Sequence, residues 1–366
     1  MKKWRLVTYL AVAGLFITTA YAYRELSSGD GNPKDGEELK KVRLLYRIGS
    51  DEENEDFYDP AAFAVDADER IYVLDTKNSR VQCFSKEGAF LFSFGRFGQG
   101  PGELSKEARV IRILEDGNIY IIDVTRTIKI YNRDGRFIKS IRADDEYNDI
   151  EMIDGKYYVS TCYMELGART IHVLDQSGKE ERSFGVVLEP EEGINARIAR
   201  EPKKEMLDSF FNSSGFSRIV KTDRKELIYS LFVPYRFMKY DLEGRLLCDV
   251  SGNVEYGQKE KFSIVYKHDF PFIMPNLPLP RVFYPVVEDD GTILFPFLKK
   301  ERDDLFIDRF GRECGFIQRY KISERIATAG NEIIKVHFDR NNNLYCLIKP
   351  TTSDDPHQIV KYRLLN

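Results

Sequence analysis

Asp68-Glu-Arg-Ile-Tyr-Val-Leu-Asp75 and Asp116-Gly-Asn-Ile-Tyr-Ile-Ile-Asp123 are two versions of one phrase, a turn signal followed by an apolar β-branched and aromatic run. Weaker versions follow at Asp154-Gly-Lys-Tyr-Tyr-Val, Arg224-Lys-Glu-Leu-Ile-Tyr, Asp290-Gly-Thr-Ile-Leu-Phe and Asn341-Asn-Asn-Leu-Tyr-Cys, six in all. Self-similarity at a long period is the mark of a repeat architecture, and it decides the fold before any single element does.

Each copy has the same surroundings. A short strand precedes it, at 61–65, 110–114, 150–153, 217–221, 284–287 and 334–338. A third strand follows, with Val81-Gln-Cys-Phe, Ile128-Lys-Ile-Tyr and Ile359-Val-Lys-Tyr among its versions. The first five third strands run into turns ending on Gly88, Gly135, Gly178, Gly244 and Gly311. Glycine suits such a hairpin because it reaches positive φ at least cost. A fourth strand comes next, at 90–94, 137–141, 180–184, 246–250 and 315–319. The sixth copy has none before Asn366, but Val42-Arg-Leu-Leu-Tyr-Arg-Ile-Gly49 repeats the pattern of Ala89-Phe-Leu-Phe-Ser-Phe-Gly95. The predicted fold is therefore all-β: a six-bladed β-propeller of four antiparallel strands per blade, its last blade completed by the N-terminal strand. Open sheet edges invite aggregation, and radial closure of this kind leaves only short, protected ones.

The first unit carries Asp59-Pro60, Asp66, Ile71-Tyr-Val-Leu-Asp75, Asn78-Ser79-Arg80-Val81, Phe84 and Gly88, and closes on Phe94-Gly-Arg-Phe-Gly-Gln-Gly-Pro-Gly-Glu-Leu104. In these residues it resembles an NHL repeat. The second unit resembles one less closely, and the other four match in strand pattern. The chain is thus similar to bacterial exported six-bladed propellers related to NHL proteins, over residues 41–366. The resemblance implies that the glycine-rich passage after Phe94 is a crossing between strands, and that Asp75 braces its turn. As a phosphate loop that passage would need a following Lys-Ser or Lys-Thr and a helix, and it has neither.

The start of the chain predicts the compartment. Lys2, Lys3 and Arg5 precede an uncharged apolar run, Leu6 to Thr19, and Ala20-Tyr21-Ala22 places small residues where a signal peptidase reads. Residues 1–22 are expected to be a signal peptide, or else an uncleaved membrane anchor, and residues 23–40, rich in Ser, Gly, Asp, Glu and Lys, a flexible tether. The body would then be periplasmic or secreted. Losing residues 1–22 makes the formal charge of −4 three units more negative, which is no footprint for nucleic acid. Five cysteines, Cys83, Cys162, Cys248, Cys314 and Cys346, lie far apart and mostly in strand-like runs, so they read as buried small hydrophobes with no disulfide.

Two function classes are open. The first is a binding or scaffolding propeller for a protein, peptide or glycan, without cofactor or catalytic residues. The alternative is a metal-assisted propeller enzyme, a lyase or lactone hydrolase. His172, His268, His337 and His357 fall on different strands and loops, so no convergent metal set is predicted. The turn glycines are 47 and 43 residues apart up to Gly178, then 66 and 67, which places insertions at 185–215 and 252–283. Both join a fourth strand to the next first strand, so both emerge on one face, shared with the loops between second and third strands. Long loops on a rigid scaffold are where binding sits. Arg126, Tyr163, Tyr235, Arg236, Lys299, Arg302 and Asp304 lie on those second-to-third loops and are the predicted ligand-binding set, Arg and Tyr being strong interface residues.

Overall fold

The computed structural model describes residues 37–49, 56–123, 126–161, 169–185, 217–231, 235–251, 262–267, 270–275, 282–299, 304–322, 326, 331–339, 341–350 and 356–365. Every predicted blade is a sheet. Blade one is Ala62–Val65, Ile71–Asp75, Arg80–Phe84 and Phe90–Phe94, hydrogen-bonded in that order from first strand to fourth. Blades two and three follow at Val110–Arg142 and Asp149–Phe184, blade four at Ser217–Ser251, and blade five at Val286–Ile322, each with the same antiparallel order. Blade six holds Glu332–Phe338, Asn343–Lys349 and Gln358–Leu364, and its fourth strand is Val42–Ile48, paired from Val42 opposite Leu364 to Ile48 opposite Ile359.

The reason for this layering is visible in the strands. Ile71–Asp75, Ile119–Asp123 and Leu227–Leu231 are buried along their whole length, since a middle strand is covered on both faces by neighbouring blades. The fourth strand Phe90–Phe94 is only partly covered and leaves Phe90 and Leu91 exposed. Six apolar clusters fill the wedges between consecutive blades. One of them joins Tyr345, Leu347, Ile359 and Ile48 of blade six to Phe63, Ile71, Val73 and Phe84 of blade one, so the ring is closed. Lysines of the third strands add polar clamps: Lys129 faces Asp123 at 3.5 Å, Lys239 faces Glu226 at 3.1 Å, and Lys361 faces Glu69 at 2.9 Å.

Three details depart from the sequence reading. Glu37–Lys40, assigned to the tether, is a strand running parallel to Phe316–Ile322 on the outer edge of blade five, where unpaired backbone groups of that edge accept it. Insertion 252–283 contains a separate hairpin, Phe262–Lys267 paired with Phe270–Pro275. Cys248 and Cys314 form a disulfide, with Cα atoms 6.5 Å apart and a sequence separation of 66.

The disulfide and the turn glycines have one explanation. In blades one to four the amide of the turn glycine bonds back three residues, as Gly88 N–H does to Ser85 O, and φ is positive at Gly88, Gly135, Gly178 and Gly244. In blade five the same bond is made by Cys314 N–H to Gly311 O, and Cys314 takes the left-handed φ of 65°. Gly311 therefore starts that turn rather than ending it. A Cβ on Gly88, Gly135, Gly178 or Gly244 would strike Tyr46, Phe94, Ile141 or Phe184, each from the fourth strand of the preceding blade, at 2.1–2.9 Å. At blade five the preceding fourth strand offers Cys248, and the two side chains bond instead of clashing. Of the other cysteines, Cys83 and Cys346 are buried free thiols, as expected, and Cys162 lies outside the described residues.

Candidate functional site

The first strands surround the axis, and charges interrupt them. Arg112 comes from blade two, Asp149 and Glu151 from blade three, Arg218 and Lys221 from blade four, Tyr284 from the approach to blade five, and Lys335 and His337 from blade six. Arg112 reaches Glu151 at 3.0 Å and Asp149 at 3.7 Å. Both acids also accept backbone amides of the neighbouring blade. Asp149 Oδ2 takes Ile219 N–H at 3.0 Å and its Oδ1 takes the Tyr284 hydroxyl at 3.2 Å, while Glu151 Oε2 takes Lys221 N–H at 3.4 Å. No ladder joins the described first strands of adjacent blades here, and the carboxylates bridge them.

Tyr284 is the centre of the group. Arg112, Arg218 and Lys335 lie 5.0, 4.8 and 4.7 Å from the centroid of its ring. Cations over an aromatic face are attracted by its quadrupole, more strongly when desolvated. Burial, then Asp149, pushes the Tyr284 hydroxyl up to about 12, so it stays a donor. Burial opposes the charge on Arg112, but Asp149 and Glu151 outweigh it and hold the guanidinium protonated. Lys335 is in the reverse position: burial first, then Arg112 and Arg218, push its ammonium down to about 7. Burial and Lys335 likewise push His337 down to about 4, leaving a neutral imidazole.

Beside this group is a cavity of about 40 Å³, lined by Arg109, Arg218, Tyr284 and Lys335 with Ala62, Val110 and other apolar neighbours. These residues lie at or near the starts of the first strands. The cavity therefore occupies the end of the axis reached by the connections from fourth to first strands. Insertion 185–215 leads directly to Ser217 and Arg218, and insertion 252–283 to Val282, Phe283 and Tyr284.

A family profile described as a six-bladed β-propeller matches residues 64–242. The molecule is a six-bladed β-propeller. The brain tumor protein of Drosophila melanogaster is 29% identical over 154 residues, which are 40% of this chain and 15% of that protein's length. A member of the duf4221 family from Bacteroides vulgatus is similar in structure, with a TM-score of 0.59 and 9% identity, covering 91% of this chain and 99% of that one. A protein from Bacteroides fragilis described as exported reaches a TM-score of 0.53 at 12% identity over 90% of this propeller and 99% of its own chain. Virginiamycin B lyase from Staphylococcus aureus, in a catalytically inactive form with quinupristin, has a TM-score of 0.51 at 11% identity, covering 88% of this chain and all of its own. Identities this low speak for the fold alone.

The described members of the predicted binding set lie at second-to-third strand connections, away from the first strands that line the cavity. Arg126 is exposed on the second-to-third turn of blade two, with φ of 56° and its carbonyl held by Ala143 N–H at 2.8 Å. Tyr235, expected on the surface, is buried: its ring stands edge-on to Phe295 and Phe297 at 4.8 and 5.1 Å and its hydroxyl donates to Asp308. Arg236 grips Asp249 through two bonds of 2.9 and 2.7 Å. Lys299 and Asp304 are paired ends of adjacent strands in blade five, and Asp304 meets Lys321 at 2.7 Å. Tyr163 and Arg302 lie outside the described residues. The described members, Arg126, Tyr235, Arg236, Lys299 and Asp304, thus share no common contact: Tyr235 and Arg236 are taken up by blades four and five, and Asp304 by Lys321.

The axial residues were missed, although the signal was present. Arg112, Glu151 and Lys335 each stand between apolar residues of a first strand and Arg218 directly precedes Ile219-Val220, and a charge in such a place is either paired or functional. Asp75 and Asp123 act as braces. Asp75 accepts from Tyr58 N–H and from the Asn78 and Arg80 side chains at 2.8, 2.9 and 2.8 Å, and Asp123 from Ser105 N–H at 2.9 Å. Among the described residues, no three His, Cys, Asp or Glu side chains converge as a metal site would require.

Proposed function

We propose that this propeller is a binding protein of the cell exterior or periplasm, which grips a protein, peptide or glycan on the face where the first strands begin. The observation that carries this reading is that both long insertions lead into residues lining one axial cavity. Loops displayed by a rigid scaffold around a concave site are the usual recipe for recognition. Export is supported by the leader-like residues 1–22 and by the Cys248–Cys314 bridge, since disulfides persist in oxidising compartments. Among the described residues no helix is long and apolar enough to cross a membrane.

Capture from the native envelope fraction tests the face. Arg218→Gln alters the cavity wall, whereas Arg245→Gln alters a third-to-fourth turn on the opposite face. Capture lost with the first and kept with the second supports the reading, and equal capture by both overturns it. Metal analysis of the purified protein separates this reading from a metal-assisted lyase or lactone hydrolase, which would retain a stoichiometric metal.

A further inference from the structure

Resting on that reading but testable apart from it, we infer that the axial cavity receives an anionic oxygen group of the ligand, a carboxylate, between Arg218, Arg109 and Lys335. Lys129, Lys239 and Lys361 each face a carboxylate within 3.5 Å. Lys335 does not. Its bonds among the described residues are to the carbonyl of Phe63 at 2.6 Å and to the rings of Tyr284 and Phe63, and it faces the cavity. An ammonium drawn out of water without a carboxylate bonded to it costs stability, and Arg112 and Arg218 repel it. Asp149 offsets this only in part, because it and Glu151 are directed to Arg112 and to the amides of the next blade. An anion in the cavity supplies the missing charge.

The remaining chemistry narrows the class. A sugar ring would need an open aromatic face, but Arg112, Arg218 and Lys335 already crowd the ring of Tyr284. A cation is excluded by the same three charges. About 40 Å³ admits a small group and not a whole ligand, a single water needing roughly 10–15 Å³ of such space. A guanidinium presents a planar fork that matches the two oxygens of a carboxylate better than a tetrahedral anion.

The test uses the full exported chain and three probes, acetate, sulfate and phosphate, at an ionic strength held constant with chloride. Melting temperature is followed against probe concentration, because a ligand that binds the folded state raises it by mass action. Acetate is expected to give a saturable rise, at least tenfold weaker in Lys335→Met and in Arg218→Gln, and unchanged in Arg245→Gln. Its affinity should increase as pH falls through 7, where Lys335 gains its proton; the Tyr284 hydroxyl and the Arg112 guanidinium keep their protons there, and His337 stays neutral. Lys335→Met removes an unfavourable charge and is expected to melt no lower than the parent without probe, so loss of response is not loss of fold. Equal responses from all four proteins, or no saturation, overturn the inference. Sulfate or phosphate binding tenfold tighter than acetate overturns the carboxylate assignment. A failed titration beside capture that still depends on Arg218 would sink this inference and leave the binding face standing.

Discussion

Cys314 occupies a turn position that glycine holds in four other blades, and takes the left-handed φ of 65° with its side chain bonded to Cys248. Closing 66 residues by a bridge is worth about 4 kcal/mol in the chain-entropy account. Cys248→Ser with Cys314→Ser is expected to lose most of that in urea unfolding. Cys248→Phe with Cys314→Gly should recover part of it without any bridge, since it rebuilds the glycine-over-aromatic contact of Gly135 on Phe94 and Gly244 on Phe184. If the two double variants unfold alike, the packing explanation fails. Tyr235 makes a second case. As an exposed contact its removal would scarcely matter; as a ring locked between Phe295 and Phe297 its change to Ala should cost about 3–5 kcal/mol. Tyr235→Phe keeps the ring and leaves Asp308 with Arg319, at 2.6 and 2.8 Å, so its cost should be near 1 kcal/mol. Denaturant midpoints of the two variants decide between these readings. The sequence could not tell them apart, because a Tyr beside an Arg in a loop reads the same whether the loop faces water or the next blade.

At the scale of the element, the decisive strand is Val42–Ile48. Its pattern was legible because the sixth unit lacks a fourth strand and the N-terminus carries one to spare. Cutting residues 23–36 removes none of the described pairings. Cutting 23–40 also strips Glu37–Lys40 from the edge of blade five, and cutting 23–49 opens blade six itself. The expected order of melting temperatures is a small change, a modest fall and a large fall. The last variant should also self-associate in light scattering, since Gln358–Leu364 would become an open edge. Similar melting of all three would mean that the ring does not depend on its closing strand. Glu37–Lys40 escaped the sequence reading because its pairing is made by backbone groups, with Leu39 largely exposed.

For the whole molecule, six apolar wedges make one closed circuit, so no blade can leave without uncovering two neighbours. Amides of the second strands should therefore exchange last, at similar rates in all six blades, as one cooperative unit. In the chain lacking residues 23–49, exchange should begin instead at the wedge between blades six and one, where Ile48 is missing. Protection graded smoothly along the wild-type sequence would contradict a closed circuit. Repetition made the ring legible: a four-strand unit copied six times can bury its faces only against its own copies. Periodicity and turn chemistry are local, so the chain alone determined blade number, strand order and the closing strand. Which residues meet at the axis is not local. Arg112 and Lys335 are distant in sequence, yet both stand around the ring of Tyr284, and Cys248 meets Cys314 only because one blade's outer strand passes behind the next blade's turn. Only the tertiary structure decided those meetings, because radial closure sets the distance between side chains that no sequence spacing encodes.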